Sequence, residues 1–202
     1  TGDWSDITGW LTANQPDDVA ARLIHNDFRF DNLVLAPDDR MRIIGVLDWE
    51  MATVGDPLMD LGGALAYWVQ ADDDPAYLRI RRQPTHAEGM LTRAEVVERY
   101  TAARGVEVDP AELLFYEVFG LFRLAVIAQQ IYYRFHHGQT TNPAYGEFWH
   151  VVAHLDQRPP HLAAVVDGDL AARQRVLEEG VHHQVEAHAR RPAVDGALAQ
   201  HH

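Results

Sequence analysis

The strongest constraint on this chain is a polar segment set between short apolar runs. Residues 25–32 spell H-N-D-F-R-F-D-N, and residues 46–50 spell V-L-D-W-E. Between them, the apolar runs 33–35 and 41–47 flank a turn rich in Pro and Asp, which predicts a short β-hairpin. The first segment precedes one strand and Asp48 ends the other, so both are expected at the same edge of the hairpin.

Three side chains at that edge form a set suited to phosphoryl transfer. The reaction needs a carboxylate to hold the attacking hydroxyl, and oxygen ligands to hold Mg²⁺ on the phosphates. We assign the first role to Asp27 and the metal role to Asn32 and Asp48. Alone, Asp27 could be a turn residue that caps its own loop, and Asp48 could pair with an arginine, Arg29 or Arg40. The joint pattern is rare enough by chance to favour the functional interpretation.

The order H-x-D-x-x-x-x-N, followed by an Asp at the end of the next strand, resembles the protein-kinase catalytic loop and metal-binding Asp. With Phe-Arg after Asp27 and D-W-E in place of D-F-G, the chain resembles the aminoglycoside phosphotransferase or choline kinase-like family. The branch it resembles most is the kinase-like domains associated with acyl-CoA dehydrogenases. The resemblance covers about residues 20–155 and is specific in 25–61. It implies ATP or another nucleoside triphosphate, Mg²⁺, and a small-molecule hydroxyl acceptor such as a hydroxyacyl compound.

The resemblance also implies roles for neighbouring residues. Arg29 would touch the transferring phosphate or brace Asp27, although a surface ion pair with Asp31 is nearly as plausible. His25 is expected to support the loop structurally, and Asp60 to be buried and hydrogen-bond the loop backbone. Asn26 stands where the family usually has Gly, and a positive φ there is one that Asn tolerates.

Helix signals dominate the rest of the chain. Asp-Pro and capping-box motifs predict helices from Asp56 to about Val69, from Thr92 to Gly105 and from Asp109 to about Phe135, closed by Gly138. A strand is predicted at 22–24 and a further helix at 144–156. Residues 1–21 are expected to be a short, weakly helical approach, with a helix-start signal at 15–18. We therefore expect an α+β fold, a protein-kinase-like C-terminal lobe over 1–158, mainly helical with a short catalytic-loop β-hairpin. The remainder, 159–202, is expected to be a peripheral helical or partly disordered tail.

The long helix that begins near Pro110 carries aromatic residues at helical spacing, and these are more often core than pocket. Its polar residues Glu117 and Arg123 are the better pocket candidates, because buried charges need partners.

Composition excludes several functional classes. The 202 residues include no Cys, no Lys and one serine, Ser5. Thiolate, Schiff-base and Walker-type chemistry are therefore absent, and a serine hydrolase is improbable. The formal net charge of −13 argues against nucleic acid and anionic membranes as partners. No signal peptide opens the sequence and the Arg-for-Lys bias is typical of GC-rich bacteria, so we expect a bacterial cytoplasmic protein.

Kinases use an N-lobe lysine and a Gly-rich loop to clamp the nucleotide phosphates, and neither precedes His25. We therefore expect a C-terminal lobe whose missing partner is the N-lobe of the same protein. Three functional classes remain: a phosphotransferase lobe, an inactive pseudokinase-like lobe that serves as a binding or interaction module, and a metal-dependent phosphohydrolase. The last usually adds metal-ligand histidines at defined spacings, which the sequence lacks.

Overall fold

Short strands and 3-10 turns carry the polar loop, and α-helices form most of what surrounds it. The computed structural model describes residues 4–17, 21–73, 75–150 and 152. The elements in chain order are α1 (Ser5–Ala13), β1 (Arg22–Ile24), β2 (Leu33–Leu35), β3 (Ile43–Val46), β4 (Thr53–Gly55), α2 (Pro57–Ala66), α3 (Pro75–Ile80), α4 (Arg93–Arg104) and α5 (Pro110–His136). Single 3-10 turns cover Phe30–Asn32, Trp49–Met51 and Pro143–Glu147. The predicted α+β architecture, mainly helical with a short hairpin, is confirmed.

Two antiparallel pairs make up the sheet structure of the described residues. Strands β2 and β3 form the predicted hairpin, with Leu33 opposite Val46. Strand β1 pairs with β4, with Arg22 opposite Gly55. The β4 pairing was not predicted, because three residues without a turn signal give no periodicity to detect. Through this pairing the chain returns to β1 before helix α2 begins. Strand β1, which leads into the polar loop, is therefore fixed along one edge.

Helix termini follow the capping signals closely. The Asp56 side chain accepts a hydrogen bond from Leu58 N at 2.8 Å, with Pro57 in the first turn of α2. Helix α4 has a complete capping box between Thr92 and Glu95, and it ends at Gly105 in the left-handed conformation. The carboxylate of Asp56 also accepts a hydrogen bond from the Tyr116 hydroxyl at 2.7 Å, which ties the start of α2 to α5.

Other boundaries differ from the predictions. The predicted helix start at 15–18 is wrong over the described residues 15–17, which are not helical; the helix lies earlier, in α1, and the Asn14 side chain donates to Trp10 O at its end. Helix α2 ends at Ala66 rather than near Val69. Beyond it, the carbonyls of Trp68 and Val69 accept hydrogen bonds from the side chains of Arg93 and Thr85 instead of continuing the helical ladder.

Further differences concern the ends of the described region. Helix α3 was missed, although Asp74-Pro75 is the same start signal as that of α2. At 144–156 the described residues form the 3-10 turn and a helical segment over 148–150, and the rest lies outside them. The tail 159–202 also lies outside the described residues. Within them, no helix is long and apolar enough to cross a bilayer.

Helices α2 and α5 cross with their backbones in direct contact, and the main core lies beside this crossing. A Cβ on Gly62 would overlap the carbonyl of Tyr116, and a Cβ on Gly120 would overlap the carbonyl of Gly62. Core side chains from both helices close around the contact: Leu58, Leu61, Leu65, Phe115 and Tyr116. Residues of α1 and α4 cover this cluster, among them Trp10 and Val97.

Glu117 of α5 is partly buried, near a partly buried ion pair. Arg93 donates through both terminal nitrogens to Asp73, at 2.7 and 2.6 Å. Loss of solvation on burial raises the pKa of Glu117 to about 7, and the charge of Arg93 opposes that rise.

The glycine contact gives a stability prediction. Gly62→Ala and Gly120→Ala should each lower the free energy of unfolding by about 1–3 kcal/mol or more, because the added methyl meets backbone rather than a flexible side chain. The matched control is Gly9→Ala in α1, where a Cβ would meet nothing within 4 Å. That change should stabilise by about 0.5–1 kcal/mol through helix propensity. Urea titration measures all three, and unchanged stability of both core variants would contradict the close crossing.

Glu117 gives a prediction about pH. Its pKa is raised from 4.5 to about 7 on folding, so the folded state holds this proton more tightly and the stability it contributes is lost as pH rises through that window. Glu117→Gln should therefore be more stable than wild type by about 1–3 kcal/mol near pH 8, and close to it near pH 4. Denaturant titrations across this range test the effect, with the exposed Glu98→Gln as control. Parallel wild-type and Glu117→Gln profiles would contradict it.

Candidate functional site

The polar loop 25–32 is fixed to helix α2 by one carboxylate. Asp60 accepts a hydrogen bond from the backbone N–H of His25 on Oδ2, at 2.7 Å, and from that of Asn26 on Oδ1, at 2.5 Å. Asn26 has φ of 66°, in the left-handed region. Two charge-assisted bonds hold the two amides that precede Asp27. Asp60, expected to be buried, is half-buried.

The imidazole of His25 connects this loop to the segment that follows β3. It is 3% exposed, and its Nε2 donates to the carbonyl of Leu47 at 2.7 Å. The Asp27 N–H donates to Nδ1 at 3.2 Å, so the two contacts together assign the hydrogen to Nε2. The Trp49 ring lies 4.7 Å from the imidazole, centroid to centroid. His25 therefore contacts both segments from which the predicted site residues come.

Asp27 and Asn32 are in direct contact. The buried Asn32 amide nitrogen donates to the backbone carbonyl of Asp27 at 2.8 Å, and lies 3.4 Å from its carboxylate Oδ2. With its nitrogen towards Asp27, the amide leaves its oxygen available to a cation. The 3-10 turn that ends at Asn32 sets this orientation, since Asn32 N donates to Arg29 O at 3.0 Å.

Arg29 lies between both of its predicted carboxylate partners. Its Nε is 3.5 Å from Asp27 Oδ2, and its NH1 is 3.8 Å from the exposed Asp31. The guanidinium carbon also lies 5.2 Å from the centroid of the Tyr67 ring. The buried Nε makes no hydrogen bond in the described structure. Arg29 thus lies beside Asp27, and its Nε–H donor remains without a hydrogen-bond acceptor among the described residues.

Asp48 lies at the end of the hairpin that carries Asn32. The N–H of Leu47 donates to Asn32 O at 2.8 Å and extends the β2–β3 ladder by one step. Asp48 follows in the left-handed conformation, with φ of 65° and ψ of 49°. Its side chain is exposed, and none of the described residues forms a hydrogen bond or ion pair with it. Neither Arg29 nor Arg40, the alternative partners, pairs with it.

Asn32 and Asp48 are the residues of this site with oxygen atoms that could contribute to holding a divalent cation. The described residues contain no group of three or more His, Cys, Asp or Glu that could hold an ion. Mg²⁺ in kinase sites is commonly held by one or two protein oxygens together with phosphates and water. The amide oxygen of Asn32 and the unpaired Asp48 carboxylate fit that pattern. An αL Asp costs free energy, and such strain is often found at functional positions.

A pocket opens directly beside Asp27, between the loop, α2 and α5. Asn26, Asp27, Tyr67 and Arg123 are among its lining residues. Arg123 donates from NH1 to the side-chain oxygen of Asn26 at 2.8 Å. Of the two pocket candidates on α5, Arg123 lines this pocket, whereas Glu117 does not.

Tyr67 and Gln83 were missed by the sequence analysis. Burial raises the pKa of Tyr67, and the negative charge of Asp27 adds to the rise, while the positive charges of nearby arginines, chiefly Arg29, oppose it. The buried Gln83 accepts a hydrogen bond from the N–H of Phe30 at 2.8 Å, which fixes the backbone of the loop at this residue. Neither residue belongs to a recognisable motif, so no local signal could have identified them.

Comparison with known proteins agrees with this arrangement. The chain is 31% identical over 160 residues to acyl-CoA dehydrogenase family member 11 of Gallus gallus, covering 76% of this chain and 20% of that protein. It is 34% identical over 135 residues to acyl-CoA dehydrogenase family member 10 of Mus musculus, covering 66% and 12%. The chain thus spans about a fifth or less of these relatives.

A solved structure and a family model extend the comparison. The fold resembles the crystal structure of a "putative aminoglycoside phosphotransferase" from Ralstonia eutropha JMP134, with a TM-score of 0.61 and 26% identity over 76% of this chain and 46% of that one. The expected kinase-like fold is therefore confirmed. The model of the phosphotransferase enzyme family matches residues 3–108. The chain belongs to the phosphotransferase enzyme family.

Proposed function

We propose that this chain is the C-terminal lobe of an ATP-dependent phosphotransferase that acts on a hydroxyl group of a small molecule. One observation carries the proposal: Asp27 and Asn32 are in direct contact, at the hairpin end from which the unpaired Asp48 projects. The carboxylate, the amide oxygen and the second carboxylate are the groups that phosphoryl transfer requires.

In the proposed reaction, Asp27 orients the acceptor hydroxyl and takes its proton. The hydroxyl oxygen forms a bond to the γ-phosphorus of ATP, the bond between that phosphorus and the bridging oxygen breaks, and ADP leaves. Asp27 is suited to this because Asp60 and His25 fix its backbone, while Arg29 lies 3.5 Å from its carboxylate. Correct positioning supplies much of the rate in such reactions.

Asn32 and Asp48 would hold Mg²⁺ in this proposal. When bound with ATP, the ion neutralises charge on the β- and γ-phosphates. The exposure of Asp48 supports the assignment, because a ligand shared with a nucleotide must face the nucleotide rather than the core.

The nucleotide clamp is proposed to lie in a second lobe. The hairpin exposes large apolar side chains, among them Met41, Ile43, Ile44 and Leu47, of which Met41 is 92% exposed. Several exposed large apolar side chains within one hairpin favour a partner there. The absence of Lys supports the same view, since a kinase holds the α- and β-phosphates with a lysine. These two features equally support the alternative, an inactive pseudokinase-like lobe that serves as a binding module.

Substitution of the proposed base separates these two functions. In a protein that carries this lobe with a nucleotide-binding lobe, Asp27→Asn should lower kcat by about 10²–10⁴-fold and leave Mg·ATP affinity nearly unchanged. Coupled ADP release, with a panel of hydroxyl compounds, measures the rate. Asp31→Asn, on the same loop but exposed, is the matched control and should keep most of the activity. Full activity of Asp27→Asn would remove the base assignment.

A different result is expected for the proposed metal ligand. Asp48→Asn should weaken Mg·ATP binding as well as turnover, by about 10-fold or more, because it replaces a charged ligand of the ion with a neutral one. Calorimetric titration of ATP with and without Mg²⁺ gives the measurement, and Asp39→Asn in the hairpin turn is the control. Magnesium-dependent binding that stays at the wild-type level in Asp48→Asn would exclude this residue as a ligand.

A further inference from the structure

We propose that the pocket beside Asp27 is built for an acceptor that carries an anionic group in addition to its hydroxyl, and that Arg123 binds this anion. The hydroxyl half of the inference rests on the proposed function. The anionic half rests on the charge and surroundings of Arg123 and is independent of whether phosphate is transferred.

Arg123 is a half-buried cation with a neutral partner. Its NH1 donates to the amide oxygen of Asn26 at 2.8 Å, and no carboxylate of the described residues lies within 4.0 Å of it. A guanidinium has five N–H donors, so most of its hydrogen-bonding capacity remains free. Withdrawing such a charge from water is costly unless an anion compensates.

Other arginines in the described residues show that the chain does not lack anions. Arg29, Arg42 and Arg93 each lie within 4.0 Å of an aspartate. The formal net charge is −13, so carboxylates outnumber cations throughout. Asp60, a carboxylate in the same pocket, uses both oxygens on backbone amides of the loop. Arg123 therefore has no carboxylate partner even though Asp60 lines the same pocket.

The pocket leaves Arg123 open to a ligand. Gly63 lies next to it, and a Cβ there would be 4.0 Å from its NH1, so no side chain stands at that position. Apolar lining residues, Met59, Leu124 and Ile127, complete the wall on this side. One pocket thus brings together the carboxylate of Asp27, the guanidinium of Arg123 and apolar side chains, which are groups that can contact a hydroxyl, an anion and a hydrocarbon part of one acceptor.

Tyr67 offers a hydrogen-bond donor in the same pocket. Its phenol lies near the positive charges of Arg29, Arg123 and Arg82 and near the negative charge of Asp27. The phenol can donate a hydrogen bond to an anion placed among these cations.

Asn26 acts as the positioning residue for Arg123. The left-handed backbone of Asn26, where φ is 66°, directs an amide oxygen towards the guanidinium across 97 positions of sequence. Glycine would satisfy the same φ without that oxygen. Asn26→Gly should therefore keep the loop conformation but release Arg123, and anion affinity should fall.

The test uses three probes that share one carbon skeleton and differ only at one end. They are β-hydroxybutyrate, the diol in which a hydroxymethyl group replaces its carboxylate, and the amino alcohol in which an aminomethyl group replaces it. Calorimetric titration of the chain should show β-hydroxybutyrate binding at least about 10-fold more tightly than either other probe. Arg123→Gln should remove this preference, Arg123→Lys should retain part of it, and Asn26→Gly should weaken it. Arg99→Gln, on the exposed face of α4, is the matched control. Far-UV circular dichroism and thermal melting check that each variant is folded.

The outcomes separate this inference from the proposed function. Equal binding of the three probes, tighter binding of the amino alcohol, or no binding of β-hydroxybutyrate at its highest soluble concentration would overturn the anion site. Loss of Mg·ATP affinity rather than probe affinity in Arg123→Gln would overturn it too, because Arg123 would then serve the nucleotide. A charge preference that persists while no hydroxyl compound elicits ADP release from a protein that carries this lobe with a nucleotide-binding lobe would instead overturn the proposed function and leave the anion site standing.

Discussion

The backbone contact between α2 and α5 is the interaction on which the site depends. Neither Gly62 nor Gly120 can carry a Cβ, because each faces the main chain of the other helix. This approach sets how far each flanking residue projects into the pocket. Asp60 lies two positions before Gly62 and holds the loop, and Arg123 lies three positions after Gly120 and reaches Asn26. A wider crossing would separate these two side chains from the loop that both of them contact.

Hydrogen bonds then fix the loop that carries Asp27 to these two helices and to the hairpin. Asp60 fixes the amides before Asp27, and the imidazole of His25 joins the loop to the carbonyl of Leu47. Each bond lies in a partly buried setting, where the loss of one partner leaves the other unsatisfied and is costly. The loop and the Asp48 segment are therefore positioned together rather than separately, as a shared magnesium–nucleotide would require.

Features that depend on adjacent residues could be predicted from the sequence, whereas those that depend on distant pairs could not. The Asp-Pro starts of α2 and α5 and the capping box of α4 were predicted because a cap acts within three residues. The hairpin was predicted from its turn. The β1–β4 pairing and the early end of α2 were missed, because both result from hydrogen bonds that join remote segments. Site prediction followed the same rule: Asp27 and Asn32 lie five residues apart, but the contact of Arg123 with Asn26 spans 97.

This distinction bears on what such a sequence reveals about specificity. The chemistry of phosphoryl transfer is largely contained in one loop and one hairpin, so a short motif can indicate it. The pocket beside Asp27 is instead lined by residues of the loop, α2 and α5 that lie far apart in the sequence, and its residues Tyr67 and Arg123 belong to no motif. In this chain the guanidinium of Arg123 bonds to the neutral side chain of Asn26, and only the folded arrangement reveals that none of the described carboxylates lies within 4.0 Å of it.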